Sequence, residues 1–160
     1  MSKSLKRVRA VLDAAAIDTE VIETPLARTA ADAAQAIGCE IDQIAKSIIF
    51  LGQDSGRAVL FITAGGNRVD PDKAAAVAGE PLGKADAALI RAQTGFAIGG
   101  VSPVGHVSPI RAFFDPRLSE FDIIWAAAGT PHHVFRANPA DILKISGAQQ
   151  TDFKSQSGYM

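Results

Sequence analysis

Ala45-Lys46-Ser47-Ile48-Ile49-Phe50-Leu51 decides how this chain of 160 residues is read. Both alternating faces of the segment are apolar, which describes a strand covered on two sides. Alternation places Lys46 with Ile48 and Phe50 on one face, and Ser47 with Ile49 and Leu51 on the other. A buried ammonium without a partner costs several kcal/mol. Lys46 therefore either faces a ligand cavity or stands at a strand mouth and reaches water.

Working outward, Gly52-Gln53-Asp54-Ser55-Gly56 has the composition of a hairpin loop, and residues 57–63 supply a returning strand. This pair is expected at the centre of the sheet. Upstream, Leu5, Val8, Leu12 and Ala15 recur at helical spacing over 4–17, residues 20–23 read as a short strand, and Thr29 caps a helix that ends at Gly38. Downstream, Ala64-Gly65-Gly66-Asn67-Arg68 is a turn, and Asp70-Pro71 supplies a cap and first-turn proline for a helix toward Gly79. A further helix over 86–94 stops at Gly95. Strands are predicted over 96–98, 110–114, 123–127 and 133–136, the last two flanking the Gly129-Thr130-Pro131 turn. Asn138-Pro139 opens a final helix through residue 145. The expected organisation is one domain over 1–148 and a polar, frayed tail over 149–160.

Composition excludes several function classes. The formal net charge of −1 argues against a protein that coats duplex DNA, because nonspecific affinity comes from neutralising phosphates. Cys39 is the only cysteine, so no intrachain disulfide forms, and a reducing compartment, the cytoplasm, is the expected setting. Asp13 interrupts the apolar run behind the basic residues Lys3, Lys6, Arg7 and Arg9, and no cleavage-type signal follows. No stretch approaches the roughly 20 apolar residues that cross a bilayer, so no membrane partner is expected.

Familiar catalytic signatures are missing. Gly79-Glu80-Pro81-Leu82-Gly83-Lys84 lacks the spacing and the Ser/Thr of a phosphate-binding P-loop. Ser102 is followed by Pro103, and the surrounding glycines miss the nucleophile-elbow spacing. Cys39 lies just past a helix C-terminus, where the dipole disfavours a thiolate. His132 and His133 are adjacent, so on a strand they point to opposite faces; at most one lines a cavity, and they do not chelate one metal. What survives is a lysine on an inner strand, histidines at two turns, and a glycine-rich loop. Such a loop either brings backbone N–H groups close to a carbonyl or phosphate, or is an ordinary tight turn.

Lys46-Ser47-Ile48-Ile49-Phe50, the Gly-x-x-x-Pro loop Gly99-Gly100-Val101-Ser102-Pro103, and Ala128-Gly129-Thr130-Pro131-His132 follow one another in an order that resembles the YbaK/EbsC family. These are freestanding relatives of the prolyl-tRNA synthetase editing domain, and the similarity spans nearly the whole chain. It implies a single-domain α/β fold with a mixed, mostly antiparallel, partly barrel-like sheet surrounded by helices. It also implies hydrolysis in trans of mischarged tRNA, with tRNA for proline carrying a small residue such as Ala, Ser, Cys or Thr as substrate and prolyl-tRNA synthetase as partner. No metal and no cofactor are implied. An aminoacyl ester is already activated, so positioning water or the neighbouring ribose hydroxyl and stabilising the oxyanion suffice, without a protein nucleophile. By this resemblance Lys46 holds the substrate, the loop Gly99, Gly100, Val101, Ser102 and Pro103 narrows the pocket, and Gly129 and His132 form the opposite wall. Arg68, Lys73 and the N-terminal basic residues are the expected tRNA contacts. Two rivals keep the same residues: a non-catalytic module that binds nucleotides or RNA ends, and a hydrolase of small esters or amides.

Overall fold

The computed structural model describes residues 2–156. The chain runs α1 (Lys3–Ala14), β1 (Val21–Glu23), α2 (Ala30–Ile37), β2 (Ile44–Gly52), β3 (Ala58–Ala64), α3 (Pro71–Ala78), β4 (Leu82–Lys84), α4 (Ala87–Thr94), β5 (Arg111–Phe114), β6 (Ile124–Thr130), β7 (His133–Ala137), α5 (Pro139–Ser146) and β8 (Gln149–Gln150). Local chemistry sets these limits. Side chains of Ser2, Thr29, Asp70, Asp86 and Asn138 accept first-turn amides of the five helices. Gly38, Gly79, Gly95 and Gly147 close four of them in the left-handed conformation.

One mixed sheet carries the fold, in the order β1-β7-β6-β2-β3-β5-β8 with β4 added on β2. Most paired residues belong to antiparallel ladders; the β2–β6, β3–β5 and β5–β8 pairings are parallel. The β2–β3 hairpin lies at the centre, as its apolar composition requires, and pairs from Ala45↔Ala64 to Leu51↔Ala58. All of β3 is buried. Side chains alternate across β2 as its sequence dictates. Ile48 and Phe50 pack on a cluster of Val59, Phe61, Phe113 and Phe153, and Ile49 and Leu51 on the larger core that holds Leu5, Val8 and Leu12 of α1.

The register of β2 opens the functional site. Its one edge is occupied along almost its full length by β3, so β6 and β4 share the other. β6 reaches only Ile44 and Ala45, and β4 only Phe50 to Gly52. Residues 46–49 therefore have no strand neighbour on that edge.

Three expectations are corrected. Residues 96–98 form no strand: Phe96 plugs the core beneath the Arg7 guanidinium, 4.8 Å from its ring centroid, and the chain turns as the Gly100 amide donates to the Ala97 carbonyl. The segment Leu82–Lys84, rejected as a phosphate loop and assigned no structure, is β4. The tail does not fray from residue 149. Gln149–Gln150 pair with β5, Phe153 is buried edge-on against Phe61, and Lys154 bridges to Val69, so burial of one aromatic docks the segment. The rest of the expected tail, residues 157–160, lies outside the described residues.

Candidate functional site

At the unpaired edge of β2 a cavity of about 620 Å³ enters the molecule. Its walls come from the segment leading into α2, from β2, from the turn after β3, from the glycine-rich loop and from the β6–β7 turn. Lys46 lies on the wall, half-buried, and its Nζ donates to the Gly65 carbonyl at 3.1 Å. The cavity alternative for this lysine thus prevails over the strand mouth. Burial, above all, and then the Arg68 guanidinium pull its pKa below the ordinary lysine range, with Asp115 and Asp42 opposing.

Those two carboxylates act from behind the turn that faces Lys46. Asp42 accepts the Gly66 amide at 2.8 Å and the Arg117 guanidinium at 2.9 Å. Asp115, buried, accepts from the Ala64 amide and from Asn67 Nδ2. A Cβ at Gly65 would collide with the Ile41 carbonyl, and one at Gly66 would lie 2.5 Å from the Asp42 carboxylate. The two glycines permit this close approach, and the Gly65 carbonyl is thereby fixed against Lys46.

The glycine-rich loop fills the space that no strand occupies. Ser47 Oγ donates to the Val101 carbonyl at 2.8 Å, tying β2 to the loop, and Gly99 and Val101 line the cavity. Gly100 does not line it but packs on the β6–β7 turn, where a Cβ would come 2.7 Å from Thr130 backbone atoms. Ser102 and Pro103 are buried behind the loop and also lie off the wall. Ser102 Oγ accepts the Val104 amide, and its carbonyl accepts a hydrogen bond from His106 Nε2 at 2.8 Å. Of the predicted loop residues, two therefore face the cavity and three lie off its wall.

The opposite wall differs from expectation. His132 is exposed and off the cavity, whereas His133 lines it with Thr130 and Pro131. Thr130 Oγ1 accepts the His132 amide and lies 2.6 Å from His133 Nδ1. This contact holds the His133 ring through Nδ1, with the donor set by the imidazole tautomer. Gly129, at φ +100°, sits under α1 against the Ser4 backbone and the Phe96 ring, a packing position and not a wall.

Among the expected tRNA contacts, Arg68 stands on the cavity wall, but Lys73 is bound to Asp152 and to the Lys154 carbonyl, away from it. Arg7 is spent on the Gly95 and Gly105 carbonyls. The sequence reading missed Arg28, Asn67 and Trp125, all on the wall. Trp125 carried a signal, being the only tryptophan of the chain and on a predicted strand. Burial, then Glu40, pushes the Cys39 thiol up, in keeping with an unreactive cysteine. Among the described residues no cluster of His, Cys, Asp or Glu is arranged to hold a metal ion, and no helix is long and apolar enough to cross a membrane.

A model of the aminoacyl-tRNA editing domain matches residues 24–145, which include every wall of the cavity. The uncharacterized protein YwhH of Bacillus subtilis (strain 168) is 29% identical over 129 residues, 81% of each chain. A crystal structure of a candidate trans-editing enzyme for prolyl-tRNA synthetase is 44% identical, with a TM-score of 0.88 over 97% of this chain and 99% of that one. The hypothetical protein APE2540, at 23% identity and a TM-score of 0.84, shares the fold.

Proposed function

Because the chain belongs to the aminoacyl-tRNA editing domain family, we propose that it hydrolyses, in trans, the ester of a mischarged tRNA, with tRNA for proline carrying a small non-cognate amino acid as substrate. The observation that carries this reading is Lys46, an ammonium on an inner strand, inside a cavity and bonded to a single main-chain carbonyl. Its remaining N–H donors are available to an ester carbonyl or terminal ribose. The similarity to a candidate trans-editing enzyme for prolyl-tRNA synthetase supports the choice of tRNA.

Water, oriented directly or through the neighbouring ribose hydroxyl, adds to the ester carbonyl carbon and gives up a proton. The carbon–oxygen bond to the ribose then breaks, the ribose oxygen takes a proton, and the free amino acid leaves. Lys46 stabilises the charge that develops on the carbonyl oxygen, and His133, its ring held by Thr130, orients the substrate. Gly99 and Val101, fixed by Ser47, limit the side chain admitted. One methylene changes discrimination by only about 1–3 kcal/mol, so the limit is set by loop position and not by a single contact.

The test is a panel of tRNAs for proline charged with Ala, Ser, Cys, Thr or Pro. Release of one or a few small residues, with prolyl-tRNA spared, is expected. Binding without release favours an RNA-end binding module, and equal cleavage of simple aminoacyl esters favours a small-ester hydrolase.

A further inference from the structure

Arg28, Lys46 and Arg68 stand on the cavity wall, and among the described residues no aspartate or glutamate does, in a chain whose formal net charge is −1. Four of the other arginines are committed. Arg7 serves the Gly95 and Gly105 carbonyls, Arg57 that of Pro109, Arg111 Glu80, and Arg117 Asp42 and Glu120. The Arg28 and Arg68 side chains make no hydrogen bond or ion pair among the described residues; Arg9, Arg91 and Arg136 make none either, but only Arg28 and Arg68 stand on the cavity wall. They approach the cavity from different elements, the segment before α2 and the turn after β3. Arg68 is close enough to Lys46 to disfavour its charge. Like charges gathered around one cavity without a carboxylate repel until an anion enters.

The cavity also selects among anions. At about 620 Å³ it admits a nucleotide with a small substituent but no duplex. Trp125 on its wall supplies an aromatic surface of the kind on which unpaired bases stack. Cations that track phosphates beside an aromatic platform are the recognition chemistry of single-stranded nucleic acid.

We propose that Arg28 and Arg68 form a two-sided phosphate clamp for the single-stranded 3′ end of an RNA, with its terminal base against Trp125 and its last ribose at Lys46. This deepens the deacylase reading and rests on it for the identity of the RNA.

The clamp is tested with the full chain and the uncharged tetranucleotide ACCA, by Trp125 fluorescence and by anisotropy of labelled RNA. Arg28→Gln and Arg68→Gln are each expected to weaken binding about tenfold at low salt and to reduce the slope of log affinity against log salt by about 0.7. Trp125→Leu is expected to weaken it about tenfold, read by anisotropy. Lys144→Gln, on α5 and off the wall, binds as wild type, and melting curves verify that every variant is folded. Arginine variants with wild-type affinity and an unchanged salt slope would overturn the clamp. AMP or an RNA duplex binding as tightly as the tetranucleotide would overturn the chain-end assignment. If wild type binds ACCA in the expected manner but releases no amino acid from any mischarged tRNA, the clamp stands and the deacylase reading falls; release of an amino acid with unaltered salt slopes has the opposite meaning.

Discussion

Lys46 sits where its charge works against the fold and toward a ligand. Burial lowers its pKa, so between the folded-state value and the ordinary 10.5 the unfolded chain binds more protons. Stability then rises with pH through that window, and below it the charged lysine is a net burden. A site residue that opposes folding is retained for what it binds. The histidine pair shows how finely such placement depends on register. His133 is joined to Thr130 on the cavity wall, while His132, one residue earlier, is exposed. His133→Ala is expected to lower kcat/KM for mischarged tRNA by about 10- to 100-fold, and His132→Ala to change it by less than about twofold. Steady-state kinetics on both variants decides between them, and the reverse order would return the role to His132.

At the scale of elements, the site exists because β6 leaves β2 after Ala45 and β4 joins it only at Phe50. The glycine-rich loop enters that gap and is clasped from two sides, by Ser47 on the Val101 carbonyl and by His106 on the Ser102 carbonyl. His106 is half-buried, with its ring edge-on to Phe96. Burial, aided by Arg7, holds its pKa below the ordinary histidine value, against the opposing bond to Ser102. The unfolded chain thus takes up the proton first, so the stability His106 supplies is complete above the ordinary 6.5 and is lost as pH falls past it and through the folded-state value. Denaturant midpoints measured from about pH 7 to about pH 5 should fall more steeply for wild type than for His106→Gln, which does not titrate; parallel curves would exclude this histidine as the cause. The limits of the four helices that end at glycine and the central hairpin were legible in the sequence because caps, terminal glycines and alternation are local signals; α1, with no glycine to close it, stops at Ala14, short of the expected residue 17. Lys46 was legible for the same reason, as a charge in an apolar run. The β4 strand, the arrest of β6 at Ala45, and the choice of His133 over His132 depend on pairing between distant segments, which no local pattern encodes. Arg28 carries no local signal, and only the fold brings it to the same cavity wall as Arg68.

For the whole molecule, the second core cluster closes only when the end of the chain docks. Phe61 stacks on Phe113 at 5.3 Å and meets Phe153 edge-on at 5.0 Å, across β3, β5 and the segment after β8. Phe153→Ala should cost about 3–5 kcal/mol in urea unfolding. A loss below about 1 kcal/mol would show that the segment contributes little and restore the domain boundary at 148. The same sheet positions Lys46, which carries the functional claim. Single-turnover release of the amino acid from the preferred mischarged tRNA, compared between wild type and Lys46→Met, tests that claim most directly. The expected result is a loss of at least about 100-fold in rate with an undiminished melting temperature at neutral pH. A Lys46→Met protein that is folded and cleaves within a few-fold of wild type would contradict it.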